Sequence, residues 1–160
     1  MPYSAYGYSS GCTPKVGHVK LNGAIVWHAS WCGNLPDPRG VNTLVIDPFN
    51  CSVRETRRFD TFESTSSARQ LSDYLRQLDD GSLTVGVTAD EATRELSGAL
   101  PTLRELGVDV ADVEFRGSFA FIAEKGYPDK TLLRKALTEE QSHTTPVYVN
   151  AIVTGKQTAV

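Results

Sequence analysis

Leu83-Thr84-Val85-Gly86-Val87-Thr88 carries no charge and is rich in β-branched residues, the composition of a strand covered on both faces. Just before it, residues 66–79 place Ala68, Leu71, Leu75 and Leu78 at helical spacing with Tyr74 beside them; this run starts in serines and stops at Gly81. Just after it, residues 90–106 repeat the helical period with Ala92, Leu96, Leu100, Leu103 and Leu106 on one side and Gly107 as a stop. Gly98 and Pro101 interrupt that second run, which predicts a bend or two shorter helices. A charge-free strand between two amphipathic helices reads as the central strand of a sheet with a helical layer on one face.

Outward from this centre the signals are those of hairpins. Val19-Lys20-Leu21 and Ala24-Ile25-Val26-Trp27 flank Asn22-Gly23, a turn pair in which both residues tolerate positive φ. Residues 33–40 hold two prolines and two glycines and read as a loop, followed by strands over 41–47 and 52–59 joined at Pro48-Phe49-Asn50. Residues 113–116 and 119–124 flank Gly117-Ser118 as another tight pair; a short helix over 130–137 and a last strand over 146–153 complete the pattern. Residues 1–15, rich in Tyr, Ser and Gly, show neither period and read as an arm. The expected organisation is an arm (1–17), one domain (18–155) and a tail (156–160). About seven or eight strands with two or three helices place the chain in the α+β class, with sheets packed face to face and helices on one side.

Bulk properties remove several functions. A net charge of -3 spread along 160 residues gives no field for nucleic acid, and the one basic cluster, Arg54, Arg57 and Arg58, contains Glu55 and reads as the solvated face of a strand. No apolar run approaches the ~18 residues that span a bilayer, so no membrane insertion is expected, and residues 1–10 lack the features of a signal peptide. Cys12, Cys32 and Cys51 fit one disulfide, between two of the three, plus a spare thiol. Their spacing matches no zinc motif, even with His18 and His28 nearby, so no metal is expected.

Chemistry-bearing motifs are few. There is no nucleophile elbow, phosphate loop, dinucleotide fingerprint or H-E-x-x-H, which implies no cofactor and no catalytic residues. A glycosidase needs two carboxyl groups facing each other across roughly 5 to 10 Å. The acid pairs here, Asp79-Asp80, Asp90-Glu91 and Glu139-Glu140, are adjacent residues that point apart. Asp90-Glu91 follows the central strand and reads as the cap of the next helix. Asn50-Cys51-Ser52 satisfies the N-glycosylation triplet inside an expected turn.

Several short segments occur in a telling order: Arg39-Gly40-Val41-Asn42, Arg58-Phe59-Asp60-Thr61, Leu78-Asp79-Asp80-Gly81-Ser82-Leu83, Thr88-Ala89-Asp90-Glu91-Ala92-Thr93, Leu106-Gly107, Phe115-Arg116-Gly117-Ser118-Phe119-Ala120-Phe121 and Lys125-Gly126. Together they resemble the GG or ILEI-like domain, found in interleukin-like EMT inducers, in the stem of a glycosyltransferase and beside hyaluronan-processing enzymes. The resemblance runs from about residue 19 to residue 153. It implies two small antiparallel sheets packed as a sandwich with flanking helices, in a secreted or lumenal protein.

The resemblance also implies a lectin for N-acetylglucosamine or a related sugar, an acidic one being suggested by two converging arginines. The family's sugar-holding positions correspond to Arg39, Asp90 and Arg116, with Glu91, Ser118 and Phe119 completing the candidate site. Phe119 stands where family members carry Trp. A carboxylate accepts from neighbouring ring hydroxyls and a guanidinium fork donates to hydroxyl, acetamide or carboxylate oxygens, so these residue types suit a sugar on chemical grounds as well. The bland alternative is an Arg–Asp salt bridge that only ties loops together. The other functional reading the family offers is a cytokine-like protein acting through a receptor. Weak single sites of the lectin type gain avidity from a homo-oligomer, for which the tyrosine-rich arm and the odd cysteine are candidates.

Overall fold

A computed structural model describes residues 2–7, 16–30, 38–144 and 147–152. Cys12, Cys32 and the loop residues 33–37 lie outside the described residues; Cys51 is half-buried and its thiol is free. The fold is α+β, built on two antiparallel sheets. One has the strand order β3-β2-β1-β9, from β1 (Pro2–Gly7), β2 (Val16–Leu21), β3 (Ala24–Ser30) and β9 (Val147–Ile152). The other runs β5-β4-β6-β7-β8, from β4 (Gly40–Ile46), β5 (Val53–Phe59), β6 (Leu83–Ala89), β7 (Ser118–Glu124) and β8 (Leu132–Ala136). Three α-helices, α1 (Thr65–Gln77), α2 (Leu100–Glu105) and α3 (Glu139–Thr144), and two short 3-10 turns complete the described elements.

Strand β6 is the middle of the five-stranded sheet and is buried throughout, as its lack of charge requires. Alternation along it and its neighbours divides the core into two layers. Leu44, Ile46, Val85, Val87, Ala120 and Ile122 face the four-stranded sheet and meet Val19, Leu21 and Val149. Val41, Phe119 and Phe121 face the other way, onto Ala68, Leu71 and Leu75 of α1 and Leu103 of α2. Helix α1 begins where Ser64 accepts the Ser67 N–H at 3.2 Å, an N-cap in extended conformation. Gly86 sits opposite Phe121 in the β6–β7 register, and a Cβ there would lie 2.1 Å from the Phe121 ring, so only glycine admits the aromatic.

The structure corrects four expectations. Pro2–Gly7 is not an arm but a strand hydrogen-bonded between β2 and β9, with Tyr3 opposite Leu21 and Ala151. Ladder hydrogen bonds belong to the backbone, so a strand can form where the side chains show no alternation. Residues 113–116 form turns instead of a strand: Glu114 N–H donates to Leu137 O and Gly117 N–H to Glu114 O, both at 2.8 Å. The expected helix over 130–137 is a single 3-10 turn, Pro128–Lys130, followed by β8, whose pairing with β7 overrides local helix propensity. The run 90–106 does break into two short helical pieces, a 3-10 turn over Leu96–Ala99 and then α2 with Pro101 in its first turn, where a missing N–H costs nothing, but helical structure starts only at Leu96. Asp90 therefore caps no helix.

Candidate functional site

Antiparallel order brings the start of β4, the end of β5, the end of β6 and the start of β7 to one end of the five-stranded sheet, since Gly40 pairs with Ala89 and Val41 with Phe59. The three segments that carry Arg39, Asp90 and Arg116 are thus neighbours because of the ladder. Gly40 makes the close approach possible: its φ is +105°, and a Cβ would strike the Phe59 carbonyl at 2.1 Å.

Asp60 organises one corner. Arg39 forks onto its carboxylate, with Nε at 3.1 and 3.2 Å and Nη2 at 2.7 Å, and Arg58 Nη2 reaches the same carboxylate at 2.9 Å. Arg58 Nε also donates to the Arg39 carbonyl at 2.8 Å. Burial pulls the Asp60 carboxyl upward, but hydrogen bonds and charge from Arg39, the charge of Arg58 and the Glu63 N–H outweigh it and hold Asp60 below the ordinary carboxylate range. The Phe62 ring lies under the Arg39 guanidinium at 4.5 Å and the Arg94 guanidinium at 5.0 Å.

Asp90 and Arg116 make the second corner. Both adopt left-handed backbone, with φ of 54° and 62°, a conformation that is costly for residues with a Cβ. Arg116 Nη1 lies 3.5 Å from Asp90 Oδ1, and its Nε lies 3.9 Å from Glu139 Oε1 at the head of α3. The same guanidinium sits 5.5 Å from the centroid of Phe115, a ring that is 52% exposed. Phe115 in turn lies 6.5 Å from Phe62, so the two corners join through a pair of aromatics. An open groove continues past Phe115 along α3, where Glu139, Glu140 and His143 line it.

Glu91 is 1% exposed and holds the corners in register. Its carboxylate accepts the N–H groups of Thr93 at 2.8 Å, Arg94 at 2.9 Å and Arg116 at 3.2 Å, together with the Thr93 hydroxyl. Thr61 adds a second stitch, its hydroxyl donating to Ala92 O at 2.6 Å while its carbonyl accepts from Glu95 N–H at 2.8 Å.

Of the six residues expected at the site, Arg39, Asp90 and Arg116 therefore gather on one surface. Glu91 lies beneath that surface with its oxygens occupied by donors. Ser118 and Phe119 lie inward: both are fully buried, with Ser118 Oγ 2.9 Å from Ser142 Oγ and Phe119 stacked near Phe121 in the core. Alternation along β7 explains this, because Phe119 and Phe121 must share a face. The aromatics that do lie at the site, exposed Phe115 and half-buried Phe62, were not singled out as site residues, since an isolated phenylalanine in a sequence reads as core until the strand registers are known. Arg94 was missed with them. Among the described residues no group of three metal-ligating side chains converges, and no helix is long and apolar enough to cross a membrane.

Comparison with known proteins matches residues 39–127, more than half of the chain, to the interleukin-like EMT inducer (ILEI) family model. The human cell migration-inducing and hyaluronan-binding protein is 32% identical over 96 residues, covering 59% of this chain and 7% of that protein. The human cell surface hyaluronidase CEMIP2 is 31% identical over 87 residues, 52% of this chain and 6% of the relative. Zebrafish (Danio rerio) cell surface hyaluronidase is 30% identical over 91 residues, 55% of this chain and 7% of the relative. The chain thus spans less than a tenth of the length of these relatives. With the family model covering the segments that build both corners, this chain belongs to the interleukin-like EMT inducer family.

Proposed function

We propose that the chain is a glycan-binding domain that takes N-acetylglucosamine or a related sugar at the Asp90–Arg116 corner and performs no catalysis. The observation that carries this reading is the Asp90–Arg116 pair itself: two non-glycine residues on separate loops, both kept in left-handed backbone, with their charged ends together beside an exposed aromatic ring. Strained backbone of this kind persists where function needs a fixed side-chain direction. The carboxylate accepts from ring hydroxyls, the guanidinium donates to hydroxyl or acetamide oxygens, and the Phe115 face packs on a sugar's C–H surface.

Electrostatics refine the ligand. Arg39 and Arg58 face Asp60, Arg94 faces Glu95 at 3.6 Å, and Arg116 faces Asp90 and Glu139, so each guanidinium is already answered by a carboxylate. Such a surface selects by hydrogen-bond pattern rather than by net charge, which favours the uncharged N-acetylhexosamine over an acidic sugar. Glu91 is not available as one of a glycosidase pair, because it is buried and its oxygens are taken by backbone donors. The hyaluronan-binding and cell-surface wording in the names of relatives supports a glycan ligand and an extracellular setting. Self-association into a homo-oligomer would raise the avidity of a shallow site.

The test is a glycan array followed by calorimetry. N-acetylglucosamine-terminated glycans should bind, and more tightly than glycans that end in an acidic sugar, while Asp90→Ala and Phe115→Ala should lower affinity at least about tenfold, a change of ~1.4 kcal/mol, with unchanged circular dichroism. No binding to any glycan, or binding indifferent to both substitutions, overturns the reading.

A further inference from the structure

The turn between β4 and β5 lies at the far end of those strands from Arg39 and Phe59, and it holds Asn50-Cys51-Ser52, the only Asn-x-Ser/Thr triplet in the chain. The turn is well built. Asp47 Oδ1 accepts the N–H groups of Phe49 at 2.8 Å and Asn50 at 3.3 Å, and Cys51 N–H closes back on Asp47 O at 2.9 Å with Cys51 at φ 63°. Asn50 and Ser52 are both exposed. Ser52 presents two donors to one atom: its hydroxyl reaches Asn50 Oδ1 at 2.7 Å and its N–H reaches the same oxygen at 3.1 Å.

From this arrangement we infer that Asn50 is an N-linked glycosylation site whose glycan projects from the opposite end of the sheet to the Asp90–Arg116 corner. Donation by the Ser52 hydroxyl and N–H to Oδ1 polarises the amide of this exposed asparagine, whose Nδ2 is the atom that must react. In the transfer, Asn50 Nδ2 bonds to the anomeric carbon of a polyprenyl-diphosphate-linked oligosaccharide as that carbon's bond to the diphosphate oxygen breaks. The polyprenyl diphosphate leaves with the electron pair, one amide proton is lost to a base of the transferase, and no oxidation or reduction occurs. A seven-residue strand is about 20 Å long, so a glycan on this turn crowds neither corner of the other end. This assignment stands independently of the proposed sugar ligand.

The experiment expresses the full chain, behind a cleavable leader, in animal secretory cells and follows peptide:N-glycosidase treatment by gel shift and peptide mass. The expected result is one shift, with Asn50 converted to Asp, lost in Asn50→Gln and Ser52→Ala and retained in Ser52→Thr. Because Ser52→Ala and Ser52→Thr both replace the same side chain, loss in one and retention in the other separates modification from misfolding. Absence of a shift in the secreted protein, or a shift that survives Asn50→Gln, overturns the inference.

Discussion

The Glu91 carboxylate accepts the backbone N–H of Arg116 at 3.2 Å across 25 positions of sequence. The same oxygen also accepts from Thr93 N–H, so a single buried side chain sets the distance between the Asp90 loop and the Arg116 turn. Replacing Glu91 by Ala leaves the N–H groups of Thr93, Arg94 and Arg116 without this acceptor. An unsatisfied buried donor costs ~1–3 kcal/mol, so a loss of roughly 3 to 5 kcal/mol is expected in urea denaturation. Glu91→Gln, which keeps one acceptor oxygen, should lose less.

Arg116 separates binding from stability. At φ 62° its side chain costs backbone energy that glycine would not. Arg116→Gly should therefore leave the melting temperature unchanged or raised, by up to about 1 kcal/mol in stability, while removing sugar binding in the same sample. A clear fall in stability would mean that the ion pairs to Asp90 and Glu139 outweigh the strain.

Asp60 gives the fold an acid-side dependence. Its folded pKa lies below its unfolded value, so the stabilisation is fully present above the unfolded carboxylate pKa, ~3.9, and is lost as pH falls through the lowered folded value. Wild-type stability should drop between about pH 5 and the lowered folded pKa. In Asp60→Asn that part of the slope should be missing, as read from denaturation midpoints across the range.

At Gly86 the expected effect is on packing alone. A methyl group on this strand overlaps the Phe121 ring, which is fully buried and stacked near Phe119. Gly86→Ala should cost about 3 kcal/mol or more by overpacking, and the double substitution Gly86→Ala with Phe121→Leu should recover part of it in thermal melts.

What the residues reveal before folding depends on the kind of force involved. Strand β6, helix α1 and the β2–β3 and β4–β5 hairpins are legible because burial imposes a period on their side chains, or because Asn22-Gly23 suits positive φ. Strand β1 is not legible, since its place between β2 and β9 is fixed by backbone ladders to residues far along the chain. At the site, the charged members Arg39, Asp90 and Arg116 come from ordered motifs, but their partners cannot be read in advance. Arg39 is joined to Asp60 and Arg116 to Asp90 by strand register, and that register also turns Phe119 inward while Phe115 is left in solvent.

The pairing of Pro2 with Ile152 has a consequence for how such a unit travels between proteins. Partners across an antiparallel ladder stand about 5 Å apart, so the outer ends of the first and last described strands stand side by side. A domain with that property can be let into a surface turn of a much larger host without stretching it, and a tether pulling on both ends would load the β1–β9 ladder before it reached the five-stranded sheet.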